Sequence, residues 1–227
     1  MSFIHDNQPQ SVYDSFNEFI FSSDRKIYAK LISKYFFTDM TKNIPGDVVE
    51  LGVFKGSGMF SWIKALELVS VNCKKVLGFD FFDDETLFDS INTIDKKLMQ
   101  SLFVDRNFNP TGYDNVLQKL LTDADLNNFE IIKGNVMETV PAYLEKNPGF
   151  RASIINFDMD TDEPTEFCLN LLWSRLCVGG VLVFDEYGIN EWTESNAVDR
   201  FCEKHKLKLK STPYFAPSAY LVKGFSE

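Results

Sequence analysis

Apolar positions alternate between two rhythms along the chain. Short, mostly apolar runs with an acid, glycine or lysine at or near their ends fall at 48–53 (VVELGV), 75–80 (KVLGFD), 129–133 (FEIIK), 152–158 (ASIINFD) and 181–185 (VLVFD). Between them lie stretches with three- and four-residue apolar spacing, at 57–71, 113–121, 136–146 and 163–177, and another after Trp192 to about His205. Strands buried on both faces read as continuous apolar runs, and helices between them supply the parallel crossovers. The pattern therefore predicts an α/β, doubly wound, mostly parallel seven-stranded sheet with helices on both faces. Its last two strands, 206–210 and 218–223, are joined only by a short loop around Pro213, which predicts an antiparallel hairpin. Ahead of the first strand, Ile27, Leu31 and Tyr35 recur at helical spacing over 24–37 with Asp24 as N-cap, and residues 1–43 form a helical arm. Gly179-Gly180 reads as the end of one helix and the opening of the next strand. Residues 82–112, rich in Asp, Asn and aromatics, read as a long loop covering the active site.

At 227 residues and 44% hydrophobic, the chain reads as one domain, 1–227, able to bury a core without disulfide or metal. A net charge of -10 argues against nucleic acid and against anionic membrane surfaces as partners. No apolar run approaches the ~20 residues of a membrane span, and residues 1–6 carry no secretion pattern. The four cysteines form no C-x-x-C pair, as expected of reduced thiols in a cytoplasmic protein. Only His5 and His205 could offer imidazole, so a His/Cys zinc site is not expected and any metal must be held by oxygen. His205, in a Lys-rich stretch, is expected to be solvated.

In a parallel sheet, ligands bind at the carboxyl ends of the strands. Those ends carry Glu50-Leu51-Gly52-Val53-Phe54-Lys55-Gly56-Ser57-Gly58, then Asp80, Gly134-Asn135, Asp158-Met159-Asp160 and Asp185-Glu186. Glycines at 52, 56 and 58 let the backbone turn tightly and approach a ligand. Their G-x-x-x-G-x-G spacing departs from the dinucleotide G-x-G-x-x-G. Glu50 would repel a pyrophosphate but suits the ammonium of S-adenosyl-L-methionine. Asp80, about 30 residues on, can accept ribose hydroxyls. Three carboxylates at 158, 185 and 186, crowded on one edge, repel one another unless protons or a divalent cation intervene.

The stretch Ile44-Pro45-Gly46-Asp47-Val48-Val49-Glu50-Leu51-Gly52-Val53-Phe54-Lys55-Gly56-Ser57 resembles the opening of the macrocin O-methyltransferase family. The likeness continues through Gly78-Phe79-Asp80, Glu138-Thr139-Val140-Pro141, Asp158-Met159-Asp160 and Val183-Phe184-Asp185-Glu186-Tyr187-Gly188. The resemblance implies a metal-dependent, S-adenosyl-L-methionine-using enzyme that methylates a hydroxyl of a sugar or nucleotide-linked sugar. Glu50, Gly52, Val53, Gly56, Ser57, Asp80, Phe81 and Asp158 would hold the cofactor, with Asn135 near its adenine. Asp158, Asp185 and Glu186 would bind Mg²⁺. Three positions differ from the family's usual pattern: Glu186 replaces a second aspartate, Met159 a glycine and Lys55 an arginine.

Methyl transfer to a hydroxyl needs an aligned nucleophile and a base. Asp160 and Glu186 are the candidate bases, and Asp158, Asp160 and Glu186 the candidate catalytic set. Catechol-type methyltransferases place a lysine three residues after their first aspartate; here that position is Thr161. Phe88, Phe103, Phe108 and Arg106 could close over an acceptor, Arg106 pairing with a phosphate. The competing readings are a metal-independent methyltransferase acting on another small acceptor, as in surface polysaccharide modification, a nicotinamide-dependent oxidoreductase and a non-catalytic binding module. The aromatic-rich arm makes a homodimer an expectation.

Overall fold

The computed structural model describes residues 9–90 and 93–224, so His5 and the first turns of the arm lie outside the described residues. The chain runs α1 (Gln10–Phe21), α2 (Arg25–Thr41), β1 (Asp47–Leu51), α3 (Ser57–Leu68), β2 (Val76–Asp80), α4 (Asp84–Ser90), α5 (Thr93–Asp105), α6 (Tyr113–Asp123), β3 (Phe129–Lys133), α7 (Val136–Lys146), β4 (Ala152–Phe157), α8 (Asp162–Leu172), β5 (Leu176–Phe184), α9 (Glu194–His205), β6 (Lys210–Ser211) and β7 (Ala219–Val222). The sheet order is β3-β2-β1-β4-β5-β7-β6, parallel from β3 to β5, with β7 antiparallel to both β5 and β6. The predicted mixed sheet is thus the observed one. No helix among the described residues is long and apolar enough to cross a membrane.

Alternate strand residues feed two cores. Val48, Ile154, Val181 and Val183 pack with Phe37, Trp62 and Leu117 under α2, α3 and α6. Val49, Leu51, Ile155, Phe157 and Phe184 pack under α7, α8 and α9 with Val140, Leu169 and Phe201. Glu50, between Val49 and Leu51, therefore points to the α2/α3 face. Strand order reverses between β1 and β4, and the two chain directions diverge there into the crevice that such folds use for ligands.

Three expectations give way. Residues 82–112 are not a loop: α4 and α5 occupy most of them, and Leu98, Met99, Leu102 and Phe103 supply the helical spacing that the surrounding Asp and Asn obscure. Gly179-Gly180 does not end a helix. That helix stops at Leu172, and the glycines sit inside β5, where β4 skips register between Ala152 and Ile154. A Cβ on Gly180 would lie 2.9 Å from the Ser153 carbonyl, so the pair forms a bulge that only glycine fits. The penultimate strand is Lys210–Ser211 alone, not 206–210, because Lys206 is the left-handed cap that ends α9.

The arm is inverted relative to its apolar spacing. Ile27, Leu31 and Tyr35 stay about half exposed, while Lys34 is buried and Lys30 turns toward the strand ends. The inner face of α2 meets hydrocarbon at Phe37 and carboxylates at Lys26, Lys30 and Lys34, where charge rather than hydropathy decides which side faces in.

Candidate active site

β1 delivers Glu50 to the rim with 1% of its surface exposed. Its Oε1 lies 3.8 Å from the Lys34 ammonium, which stacks 4.6 Å over the Trp62 ring, and its Oε2 is buried with no partner. Burial pushes the Glu50 carboxyl up to about 8 despite Lys34. Gly58 makes that position possible: a Cβ there would sit 2.0 Å from Glu50 Oε1. Gly52, at φ +90°, lets the β1 exit pass against β4, since a Cβ would fall 2.0 Å from the Asp158 carbonyl oxygen.

Asp80 ends β2 and organises the glycine loop. Its carboxylate accepts the backbone N–H of Val53 and Phe54, each at 2.7 Å, and of Phe81 at 2.6 Å. Burial raises its pKa, and those backbone donors oppose the rise. Phe54 and Phe82 flank this clamp with φ of 54° and 50°, an uncommon conformation for an aromatic residue. Gly56 caps α3, whose first residue is the exposed Ser57. Asn135 caps α7 by accepting the Met137 N–H at 3.0 Å, leaving its amide nitrogen free of that bond.

The acids of β4 and β5 converge. Carboxylate oxygens of Asp158, Asp160 and Glu186 lie within 4.8 Å of one another, the candidate ion-holding group among the described residues. Asp185 is not part of that group: it turns to α2, where its Oδ2 meets the Lys30 ammonium at 2.6 Å. Lys30 also lies 3.3 Å from both Asp158 oxygens, and Lys26 is 2.7 Å from Glu186 Oε1. Burial followed by carboxylate repulsion raises Asp160 well above the ordinary range, and burial raises Asp158 and Asp185. Asp160 adopts φ 65° and leaves Oδ1 buried and unpartnered.

Sequence reasoning missed four participants. Lys26, Lys30 and Lys34 carry a signal that could have been found, a four-residue lysine repeat inside a helical pattern. Glu194, at the start of α9, is fully buried and accepts the Glu186 N–H at 3.3 Å; nothing in its sequence context marks it. The cover is fastened to the rim: Thr193 Oγ1 donates to the α5 carboxylate of Asp95 at 3.2 Å, while the Thr193 N–H reaches the Asp160 carbonyl at 3.2 Å. Phe108 packs against Phe54, Phe103 and Tyr113 with ring centroids 4.5–5.8 Å apart, and Arg106 stacks over Phe54 at 5.3 Å. His205, expected to be solvated, is half-buried and lies against Phe201, 4.5 Å between ring centres. The four cysteines are free.

The donor set is all oxygen, and unpartnered buried oxygens of Asp160 and Glu186 point to a hard divalent cation. The unpartnered Glu50 Oε2 and the glycine cradle fit an amino-acid ammonium. Crevice, glycine turn and acidic strand ends together define a Rossmann-like methyltransferase. A model of the macrocin-O-methyltransferase (TylF) family matches residues 32–213, and the chain belongs to that family of O-methyltransferases. Among solved structures it is similar to CalS11, a calicheamicin methyltransferase, at 21% identity and TM-score 0.75, with 97% of this chain and 88% of that one covered. The apo form, described as a TDP-rhamnose 3'-O-methyltransferase of calicheamicin biosynthesis, aligns at 22% identity and TM-score 0.73 over 97% and 89%. The O-methyltransferase NovP aligns at 20% identity and TM-score 0.70 over 87% and 80%. No curated protein matches by sequence.

Proposed function

We propose that this chain is a cytoplasmic, S-adenosyl-L-methionine-dependent and Mg²⁺-assisted O-methyltransferase acting on a hydroxyl of a sugar, free or nucleotide-linked. The observation that carries the reading is the convergence, at one sheet edge, of a buried carboxylate oxygen lacking a partner at Glu50 with the oxygen cluster of Asp158, Asp160 and Glu186. Similarity to CalS11, described as a TDP-rhamnose 3'-O-methyltransferase, and family membership support a sugar acceptor.

The cofactor supplies an electrophilic methyl on a sulfonium, and Mg²⁺ held by Asp158 and Glu186, with Asp185 or Asp160 completing the set, would polarise the acceptor hydroxyl. The chain's own groups do the rest. Glu50 receives the cofactor ammonium through Oε2, and Gly52, Val53, Gly56 and Ser57 shape the turn beneath it. Asp80 fixes that turn and with Phe81 would hold the ribose, and Asn135 would stand near the adenine. Asp160, with its pKa raised by burial, takes the acceptor proton on Oδ1 as the methyl is transferred. The helices of 82–112, latched through Asp95 and Thr193, exclude water from the acid edge. The catalytic unit is one domain with the arm at 1–43, and the exposed apolar face of α1 and α2 pairs two copies.

Calorimetry with S-adenosylhomocysteine and with NAD⁺, each with and without Mg²⁺, tests the reading. Binding of S-adenosylhomocysteine, and a one-methylene mass gain on a nucleotide-linked sugar that excess chelator suppresses, are expected. Tight NAD⁺ binding in its place overturns the assignment, and full turnover in chelator removes the cation from it.

A further inference from the structure

Lysines 26, 30 and 34 form one stripe on α2, because residues four apart share a helix face. The stripe crosses three strand ends in turn. Lys26 meets Glu186 beyond β5, Lys30 meets Asp185 beyond β5 and Asp158 beyond β4, and Lys34 meets Glu50 in β1. These are not ordinary surface pairs, for Asp185 is fully buried and Glu186 nearly so. Burial alone would depress the Lys30 ammonium, yet Asp158 and Asp185 outweigh it and keep the charge on. Five carboxylates, Asp158, Asp160, Asp185, Glu186 and Glu194, stand against the two ammoniums of Lys26 and Lys30. Burial and mutual repulsion favour the neutral forms of Asp160 and Glu194, so a divalent cation among these oxygens would take the place of protons as well as of ammonium. However, Asp158 and Glu186, two of the three residues whose oxygens gather within 4.8 Å, are the two that these lysines hold. An ammonium 3.3 Å from both Asp158 oxygens and a cation bonded to either oxygen repel each other at close range in a partly buried setting.

We propose that Lys30, supported by Lys26, is the resident counter-cation of the acidic rim, and that a divalent cation enters by displacing the Lys30 ammonium from Asp158. Cation binding and the seating of α2 against the strand ends are then opposed, and Lys30 sets the metal affinity of the site. The inference rests on the reading that these acids can hold a cation, and it adds what that reading lacks: an element of the chain that competes for the same oxygens.

Mg²⁺ is titrated calorimetrically into the full chain as wild type, K30Q, K30R and the exposed α6 control K119Q. K30Q is expected to bind Mg²⁺ at least tenfold more tightly than wild type, with K30R and K119Q within about threefold of it. Equal or weaker binding by K30Q, or no binding by any of the four, overturns the proposal. Hydrogen exchange of wild type alone gives a second readout that needs no variant. Amides of 26–34 should exchange faster in saturating Mg²⁺, and unchanged or slower exchange overturns the proposal equally. Loss of the methyltransferase reading would show elsewhere, as absence of S-adenosylhomocysteine binding without Mg²⁺.

Discussion

Gly58 is small because Glu50 needs its space. A methyl there meets Glu50 Oε1 at 2.0 Å, at the flexible end of a side chain, so G58A should fold while displacing the carboxylate from the ammonium position. G52A drives a Cβ to the same distance from a backbone oxygen and at φ +90°, where relief is not available. Thermal melts should rank G52A below G58A, G52A losing about 3 kcal/mol or more and G58A about 1–2 kcal/mol. S-adenosylhomocysteine affinity should fall in both. Equal melts for G52A and wild type would show that the β1–β4 crossing does not depend on the bare backbone. Glu50 also makes cofactor binding pH-dependent. Its carboxyl is raised from 4.5 to about 8, so its contribution to stability is full below pH 4.5 and is lost as pH rises through 8. An ammonium beside Oε2 favours the ionised form, so binding at pH 7 should release close to one proton, and affinity should climb toward pH 8. Calorimetry in two buffers of different ionisation heat reads the proton; a heat independent of buffer, or the same release from E50Q, contradicts the assignment.

Elements differ in how openly the sequence declares them. The parallel strands were legible because residues such as Val48, Val49, Ile154 and Ile155 are buried on both faces and cannot be polar. The rim acids were legible for the complementary reason, since acids at four strand ends have no role in packing. The inward lysines of α2 were not: Ile27, Leu31 and Tyr35 display the hydropathic period on the opposite side, and only the tertiary placement of Asp158 and Asp185 selects the lysine face. Glu194 was illegible because its partner, the Glu186 N–H, is created by the chain's return after β5. The α4–α5 cover reads as loop in the sequence because its aromatic residues, Phe88 and Phe103, pack on one another and reach Phe54 only through Phe108. Phe108 is the joint, with Phe54 at 4.5 Å and Tyr113 at 5.0 Å. F108A should leave the melt within about 2 kcal/mol of wild type, since the ring is half-buried, yet accelerate exchange in α5 and raise the KM for the acceptor more than it lowers kcat. Unchanged exchange in α5 would mean that Asp95 and Thr193 alone secure the cover.

For the whole molecule, the unbalanced feature is the outer side of the arm. α1 buries none of its residues, and Phe16 and Phe21 are 59% and 81% exposed; on α2, Ile27, Leu31 and Tyr35 are about half exposed as well. A twelve-residue helix with no packed face is marginal in water, and monomers seldom leave so many large apolar side chains together. Pairing with a second copy would cover this face without disturbing the lysine stripe, which faces the strand ends. Sedimentation should therefore report a dimer, and the double variant F16E/F21E a monomer with a melt that no longer depends on protein concentration. The charge placed on α1 is remote from the acids, so cofactor affinity should persist in the monomer. Mg²⁺ affinity should rise in it, because an α2 no longer held from outside yields Asp158 more readily. A wild-type monomer at tens of micromolar would remove the second copy from this account, and a dimer-breaking variant whose Mg²⁺ affinity is unchanged would show that the lysine stripe is seated from within its own chain.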